Sequence, residues 1–362
     1  MAPDFVDFTI GNYLRERLMP VEGAIPHLAG IEIFGRSVPA TGAGGDLFEY
    51  INFQQRYDLD SRIRRALQLS KDCLQAHPPP GTASCTSVDD SVEWLKARPD
   101  FRPDMEAAYR QTKSLEQVRV AENLHDLYDT AGVLLVDAQG HGLISAKIAS
   151  TVHDTFHALM LPELDRYGKT TPELFELINL RLANSVTARN ALGQDSRGAA
   201  REIATMLYGE VRPSGHFRFV NFGHPPPLVF SAREGQFREV DQERMVQFLP
   251  LGLEVPEDHP DRKRYFSMHF RKQEAGPSDI AEIAMAHAGD LLFLYTDGVY
   301  DGSDEEERRV LEAVMREACL RSAKDICEAV FDHTAAKDQT FRKHGEGDLI
   351  DDKTVVIIKR VS

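Results

Sequence analysis

The chain has 362 residues, enough for one large or two ordinary domains, and 42% hydrophobic, 27% charged and 8% aromatic residues exclude a collagen-like, coiled-coil or disordered chain. Forty-two Lys and Arg against 57 Asp and Glu leave a formal charge of −15, which repels phosphate backbones and anionic lipid, so neither nucleic acid nor a membrane is an expected partner. To act on phosphate, so acidic a chain needs a local cation, from a basic patch or from a metal held by carboxylates.

Asp4, Asp7, Arg15, Glu16 and Arg17 interrupt the first twenty residues, nothing there resembles a signal peptide, and no run of about 18 apolar residues occurs. With four cysteines (Cys73, Cys85, Cys319, Cys327) at spacings that suit neither zinc nor a CxxC pair, the expectation is a cytoplasmic protein with reduced thiols. A short helix is expected from Phe8 to Met19, ending at Pro20. Ile31–Phe34 alternates as a strand, a glycine turn follows at 42–45, and Leu47–Ile51 reads as the next strand. From 52 to 125 charges become dense and strand-like runs vanish, which predicts a helical insertion within a single domain spanning 1–362. Leu59, Ile63, Ala66/Leu67, Ser70 and Leu74 share a helix face there, and Trp94 needs an apolar surface to cover it.

Thr130–Val136 is too short for a typical helix and reads as a buried strand running into Asp137-Ala-Gln-Gly-His-Gly142. Helices are expected at 143–160 and 172–189, a polar loop at 190–200, and strands at 204–211, 217–222, 228–230 and 291–295. Two helices near 305–335 and a strand at 354–359 complete the chain. Without regular βα alternation the pattern favours a layered α+β domain.

Three acidic residues stand where a strand gives way to a turn: Asp46 after Gly44-Gly45, Asp137 after Val136, and Asp297 before Gly298. Asp351-Asp352 precedes the last strand. Glycine turns expose carboxylates and let carbonyls approach a cation, and oxygen-only ligation suits Mg²⁺ or Mn²⁺ rather than zinc. His153 and His157 stand four apart on a helix without the glutamate or third ligand of a zincin, and read as a surface pair. Gly42–Leu47 lacks the last glycine of a dinucleotide loop, and Gly168-Lys-Thr170 lacks the upstream glycine of a P-loop, so no nucleotide cofactor is expected.

The motifs GGDLFE (44–49), DAQGHG (137–142), ATMLY (204–208), NFGHPPP (221–227), LPLG (249–252), GDLLFLYTDGV (289–299) and DDKT (351–354) occur in the order found in the SpoIIE-like bacterial branch of the metal-dependent (PPM-type) serine/threonine protein phosphatases, which this chain resembles from about Leu14 onward. The resemblance implies a four-layer sandwich of two antiparallel β-sheets flanked by α-helices, with a binuclear Mn²⁺ or Mg²⁺ centre. In it Asp137 matches the metal-bridging aspartate, the Ala138 carbonyl and Asp46 lie on the second ion's side, and Asp297 and Asp351 match ligands of the first. Attack on phosphorus by a metal-bound water is implied, with His141 as a candidate general acid. Glu49, Ala138 and Phe222 stand where the family more often has aspartate, valine and alanine; none removes a ligand. His224, in its proline-rich turn, reads as structural.

By resemblance the substrate is phosphoserine or phosphothreonine on an anti-sigma-factor antagonist of a partner-switching pathway. A catalytically weak regulatory binding module and a phosphatase of a small phosphorylated molecule remain open alternatives. The sensor domain that family members often carry at the N-terminus is not expected here, so the 52–125 insertion is expected to regulate instead, as a cover over the site or as a homodimer contact.

Overall fold

The structure, a computed structural model, describes residues 19–20, 25–40, 44–74, 92–93, 95–140, 142–183, 202–238, 247–253, 281–302, 304–344 and 350–362. The expected leading helix at 8–19 (Met19 excepted), Trp94, His141 and the polar loop at 190–200 lie outside these residues.

In chain order the elements are β1 (Ile31–Val38), β2 (Asp46–Asn52), α1 (Phe53–Tyr57), α2 (Leu59–Leu74), α3 (Pro103–Asp126), β3 (Ala131–Ala138), α4 (Leu143–Tyr167), α5 (Pro172–Ala183), β4 (Ala204–Val211), β5 (His216–Phe222), β6 (Leu228–Ser231), β7 (Gln236–Arg238), β8 (Gln247–Phe248), β9 (Ala281–Ala284), β10 (Leu291–Tyr295), α6 (Glu305–Ala318), α7 (Ala323–His344) and β11 (Lys353–Arg360). The chain divides into two compact units: Met1–Asn52, Asp129–Phe156 and Phe175–Ser362 form the first, Phe53–Tyr128 and His157–Leu174 the second. No helix among the described residues is long and apolar enough to cross a membrane.

The first unit carries both sheets. One has the order β1-β11-β10-β6-β7 and is antiparallel throughout; the other runs β2-β3-β4-β5, with β9 antiparallel and the two-residue β8 parallel to β5. Alternate residues of a strand face opposite sides of its sheet, so each sheet sends one apolar row inward and one outward. Ile31 and Ile33 of β1, Phe48 and Tyr50 of β2, Val133 and Leu135 of β3, Leu292 and Leu294 of β10, and Val356 and Ile358 of β11 meet in a single core between the sheets. The outward row of the first sheet, including Phe230, Phe293, Val355 and Ile357, is covered by Leu311 and Met315 of α6 and Ile326 and Val330 of α7. On the outer side of the second sheet, Tyr208 of β4 packs against Phe156 of α4 (ring centroids 5.1 Å apart) and Phe175 of α5 (5.5 Å). Phe222, in place of the family's usual alanine, extends this aromatic cluster by stacking on Phe248 at 4.8 Å. The result is the four-layer α+β sandwich that the motifs imply.

Helix starts follow local chemistry. Asp304 caps α6, its Oδ1 accepting from the N–H groups of Glu306 (2.8 Å) and Glu307 (3.2 Å), and three glutamates occupy the positive first turn. Pro103 opens α3, where no intrahelical N–H is needed, followed by Asp104 and Glu106.

In the second unit α2 packs on α3, with the Ser70 and Ser114 hydroxyls 2.7 Å apart inside the contact; Leu59, Ala66 and Cys73 of α2 and Val120, Ala121 and Leu124 of α3 are buried. The buried stripe of α2 therefore passes through Cys73, and the expected members Leu67 and Leu74 are exposed. The three described cysteines, Cys73, Cys319 and Cys327, are buried and form no disulfide. The strands β7, β8 and β9 have no counterpart in the sequence reading: at two to four residues they are too short to show an alternation.

Candidate metal centre

In an antiparallel pair the start of one strand lies beside the end of its neighbour, and this places the acidic motifs together. Asp46 opens β2, and Asp137, one residue from the end of β3, is its register partner. In the other sheet β10 ends at Tyr295, paired with Val355 near the start of β11, so Asp297 and Asp351-Asp352 emerge at one end, where the Thr296 N–H donates to the Thr354 carbonyl at 3.1 Å.

Counting by two along each inward row identifies the layer that closes the core at this end. The rows Ile31-Ile33, Phe48-Tyr50, Val133-Leu135, Leu292-Leu294 and Val356-Ile358 continue to Ser37, Asp46, Asp137, Thr296 and Thr354 respectively. Each apolar row ends in a hydroxyl or a carboxylate. Asp46 is buried, and its Oδ2 accepts from the hydroxyls of Thr296 (2.7 Å) and Thr354 (2.8 Å), both from the opposite sheet.

Asp351 and Asp352 have different environments. Asp352 is buried; its Oδ1 accepts the Ala40 N–H at 2.7 Å and its Oδ2 the Gly45 N–H at 2.6 Å, which anchors the glycine segment ahead of β2. Asp351 is exposed, and its Oδ1 accepts the Asp352 N–H at 2.8 Å. The first aspartate is thus turned toward solvent while the second holds the loop. Gly45 is required by proximity, because a Cβ there would lie 2.5 Å from the Ala138 carbonyl oxygen.

The acidic groups act on one another. Burial, then the charges of Asp297, Asp351 and Asp352, push the Asp137 carboxyl up to about 7. Burial and Asp137 raise Asp46 well above the ordinary value, against the pull of its two threonine donors. Asp297 is raised by burial and Asp351, and Asp352 by burial and Asp351, with the backbone N–H groups of Ala40, Gly45 and Asp46 opposing. Among the described residues, every charged group acting on Asp137 is acidic. This set of hard oxygen donors fits divalent cations.

His224 is buried. Asn221 accepts its N–H and donates to its carbonyl, both at 2.8 Å, and the Thr205 hydroxyl lies 2.8 Å from Nδ1; the residue holds the proline-rich turn, as its sequence context suggests. His153 is not a surface residue. It is buried on α4 with Nε2 3.0 Å from Glu49 Oε2 and Nδ1 3.1 Å from Asp154. His157 is half-buried, with Nδ1 2.6 Å from the Tyr57 hydroxyl in the second unit. Sequence reasoning missed Ser37, Thr296, Thr354 and the contribution of Glu49; continuing the two-residue alternation past the last apolar residue finds the first three.

No curated protein matches the chain in sequence. Among solved structures, it is similar to the SiaA-PP2C domain of Pseudomonas aeruginosa at 12% identity, with 99% of this chain and 96% of that one covered and a TM-score of 0.52, a likeness of fold. The RsbU and RsbW domains of Rv1364c from Mycobacterium tuberculosis align at 17% identity over 93% of this chain (TM-score 0.44), and the phosphatase domain with a regulatory fragment of SpoIIE from Bacillus subtilis at 12% over 92% (TM-score 0.47). This chain spans 62% and 64% of the lengths of those two. The family model described as stage II sporulation protein E matches residues 128–271 and 273–361, and the chain accordingly belongs to the SpoIIE family.

Proposed function

We propose that this protein is a metal-dependent serine/threonine phosphoprotein phosphatase. The observation that carries the reading is the convergence of Asp46, Asp137, Asp297 and Asp351 at neighbouring strand ends, where burial and mutual repulsion push Asp137 up to about 7. In this reading Asp137 would serve both cation sites, with the Ala138 carbonyl and Asp46 on the side of the second and Asp297 and Asp351 on the side of the first. A divalent pair, Mn²⁺ or Mg²⁺, supplies an activated water and neutralises charge on the phosphoryl oxygens. The chain's own part is to hold the carboxylates in place: Asp352 fixes the glycine loop, and the β2–β3 register sets Asp46 beside Asp137. His141 is the proposed proton donor to the leaving alkoxide.

Family membership supports a phosphoserine or phosphothreonine substrate carried on an anti-sigma-factor antagonist. The test is Mn²⁺-dependent release of phosphate from a panel of phosphoproteins by wild type and Asp137→Asn. Turnover that disappears with EDTA, returns with Mn²⁺ and falls by several orders of magnitude in the variant is expected. Undiminished turnover after exhaustive chelation would sink the reading.

A further inference from the structure

Four hydrogen bonds link Ser37, Asp46, Thr296 and Thr354 just beneath the acidic end, and the two to Asp46 join the two sheets. A carboxylate only accepts, so the hydroxyl protons of both Thr296 and Thr354 point at Asp46 Oδ2, at 2.7 and 2.8 Å. Each hydroxyl has one proton, so its remaining contact must be an acceptance. Thr296 Oγ1 takes the Thr354 N–H at 2.9 Å, and Thr354 Oγ1 lies 2.9 Å from Ser37 Oγ. All four residues are buried: Ser37 and Asp46 are each 6% exposed, Thr296 and Thr354 0%.

We propose that Thr296 and Thr354 are positioning residues that commit Oδ2 of Asp46 to the protein and leave Oδ1 as the single oxygen Asp46 offers to a cation. The inference deepens the phosphatase reading and rests on it. Thr296 immediately precedes Asp297, and Thr354 lies three residues after Asp351. The same two side chains thus tie Asp46, on the second ion's side, to the segments assigned to the first. A cation that orders Asp297 and Asp351 also steadies the two donors that aim Asp46, so the two sites fill in order rather than independently. Outer partners of this kind typically change metal affinity by about 10- to 100-fold when removed.

The experiment is a Mn²⁺ titration of the full chain followed by electron paramagnetic resonance, which counts free and bound ion without reference to turnover. Wild type is expected to bind two equivalents. Thr296→Val and Thr354→Val keep the shape and delete the hydroxyl; each should weaken the second equivalent by about tenfold or more while the first changes less than about threefold. Thr296→Ser and Thr354→Ser, which retain the donor, should restore the wild-type isotherm. Where a valine variant does not fold by circular dichroism, Thr296→Ala or Thr354→Ala takes its place with the same expectation. A wild-type isotherm in any folded variant lacking the hydroxyl overturns the proposal and leaves the phosphatase reading standing. A wild-type protein that binds no Mn²⁺ overturns both.

Discussion

Glu49 on β2 meets His153 on α4, Oε2 to Nε2 at 3.0 Å, with the two side chains only 11% and 9% exposed. The longer glutamate, where the family more often has aspartate, supplies the reach from sheet to helix. Removing one partner of a buried polar pair typically costs about 1–3 kcal/mol. Glu49→Asp keeps the charge but withdraws it by one methylene, and should lower the unfolding free energy by about 1 kcal/mol or more in urea denaturation. A midpoint equal to wild type would show that the pair contributes nothing.

Asp351 and Asp352 are neighbours with separable roles. Asp351→Asn should abolish Mn²⁺-dependent turnover while leaving the melting temperature of the metal-free protein within a few degrees of wild type. Asp352→Ala deletes two acceptors of backbone N–H groups, and hydrogen bonds to a charged group are each worth about 1.5–3 kcal/mol. Its signature is a fall in melting temperature before any metal is added. Thermal melts of both variants in EDTA discriminate; the reverse pattern would exchange the two assignments.

Gly298, next to Asp297, is needed for space. A Cβ there would lie 2.0 Å from the Asp352 carbonyl oxygen, backbone against backbone, with no flexible side chain to yield. Gly298→Ala must separate the ends of β10 and β11 and move Asp297. Overpacking of this sort costs about 1–3 kcal/mol, and Mn²⁺ affinity measured calorimetrically should fall with it. A folded variant of unchanged affinity would show that Asp297 can shift without consequence.

His224 makes stability acid-sensitive. Burial lowers its folded-state value from 6.5 to about 3, with the Tyr295 carbonyl pulling the other way. Between those limits the folded histidine stays neutral while the unfolded one takes up a proton, so stability falls as pH drops below 6.5; above 6.5 this group contributes no slope. One proton corresponds to about 1.4 kcal/mol per pH unit. Urea unfolding between pH 6 and 4.5 should show wild type losing stability faster than His224→Gln by about that amount per unit, and parallel curves would contradict the assignment.

The sheets were legible because long strands in a two-layer core are apolar on both faces: the run Ala131–Val136 is buried throughout. The acidic motifs were legible from their glycines, since Gly45 and Gly298 stand where a carbonyl or carboxylate must come close. What the sequence could not show is which partner a polar side chain finds across the fold. Thr296, Thr354 and His153 look ordinary in one dimension, because their contacts lie with residues far away in the chain. The Leu67 and Leu74 reading failed for a related reason: the face of α2 that is buried is set by α3, whose own periodicity is weak.

The contacts that build the acidic end are among the longest in the chain, Thr296 to Asp46 spanning 250 residues and Thr354 to Asp46 spanning 308. Contacts of such separation delay folding, because loop closure must precede the interactions that reward it. Moreover β11, which brings Asp351 and Thr354, lies inside its sheet between β1 and β10 rather than at an edge. At synthesis rates of about 5–20 residues per second, roughly 3–13 s separate the end of β10 from the end of β11. Throughout that interval the nascent chain holds Asp46, Asp137 and Asp297 without Asp351 and Thr354, so the acidic end cannot close until the last strand has been made.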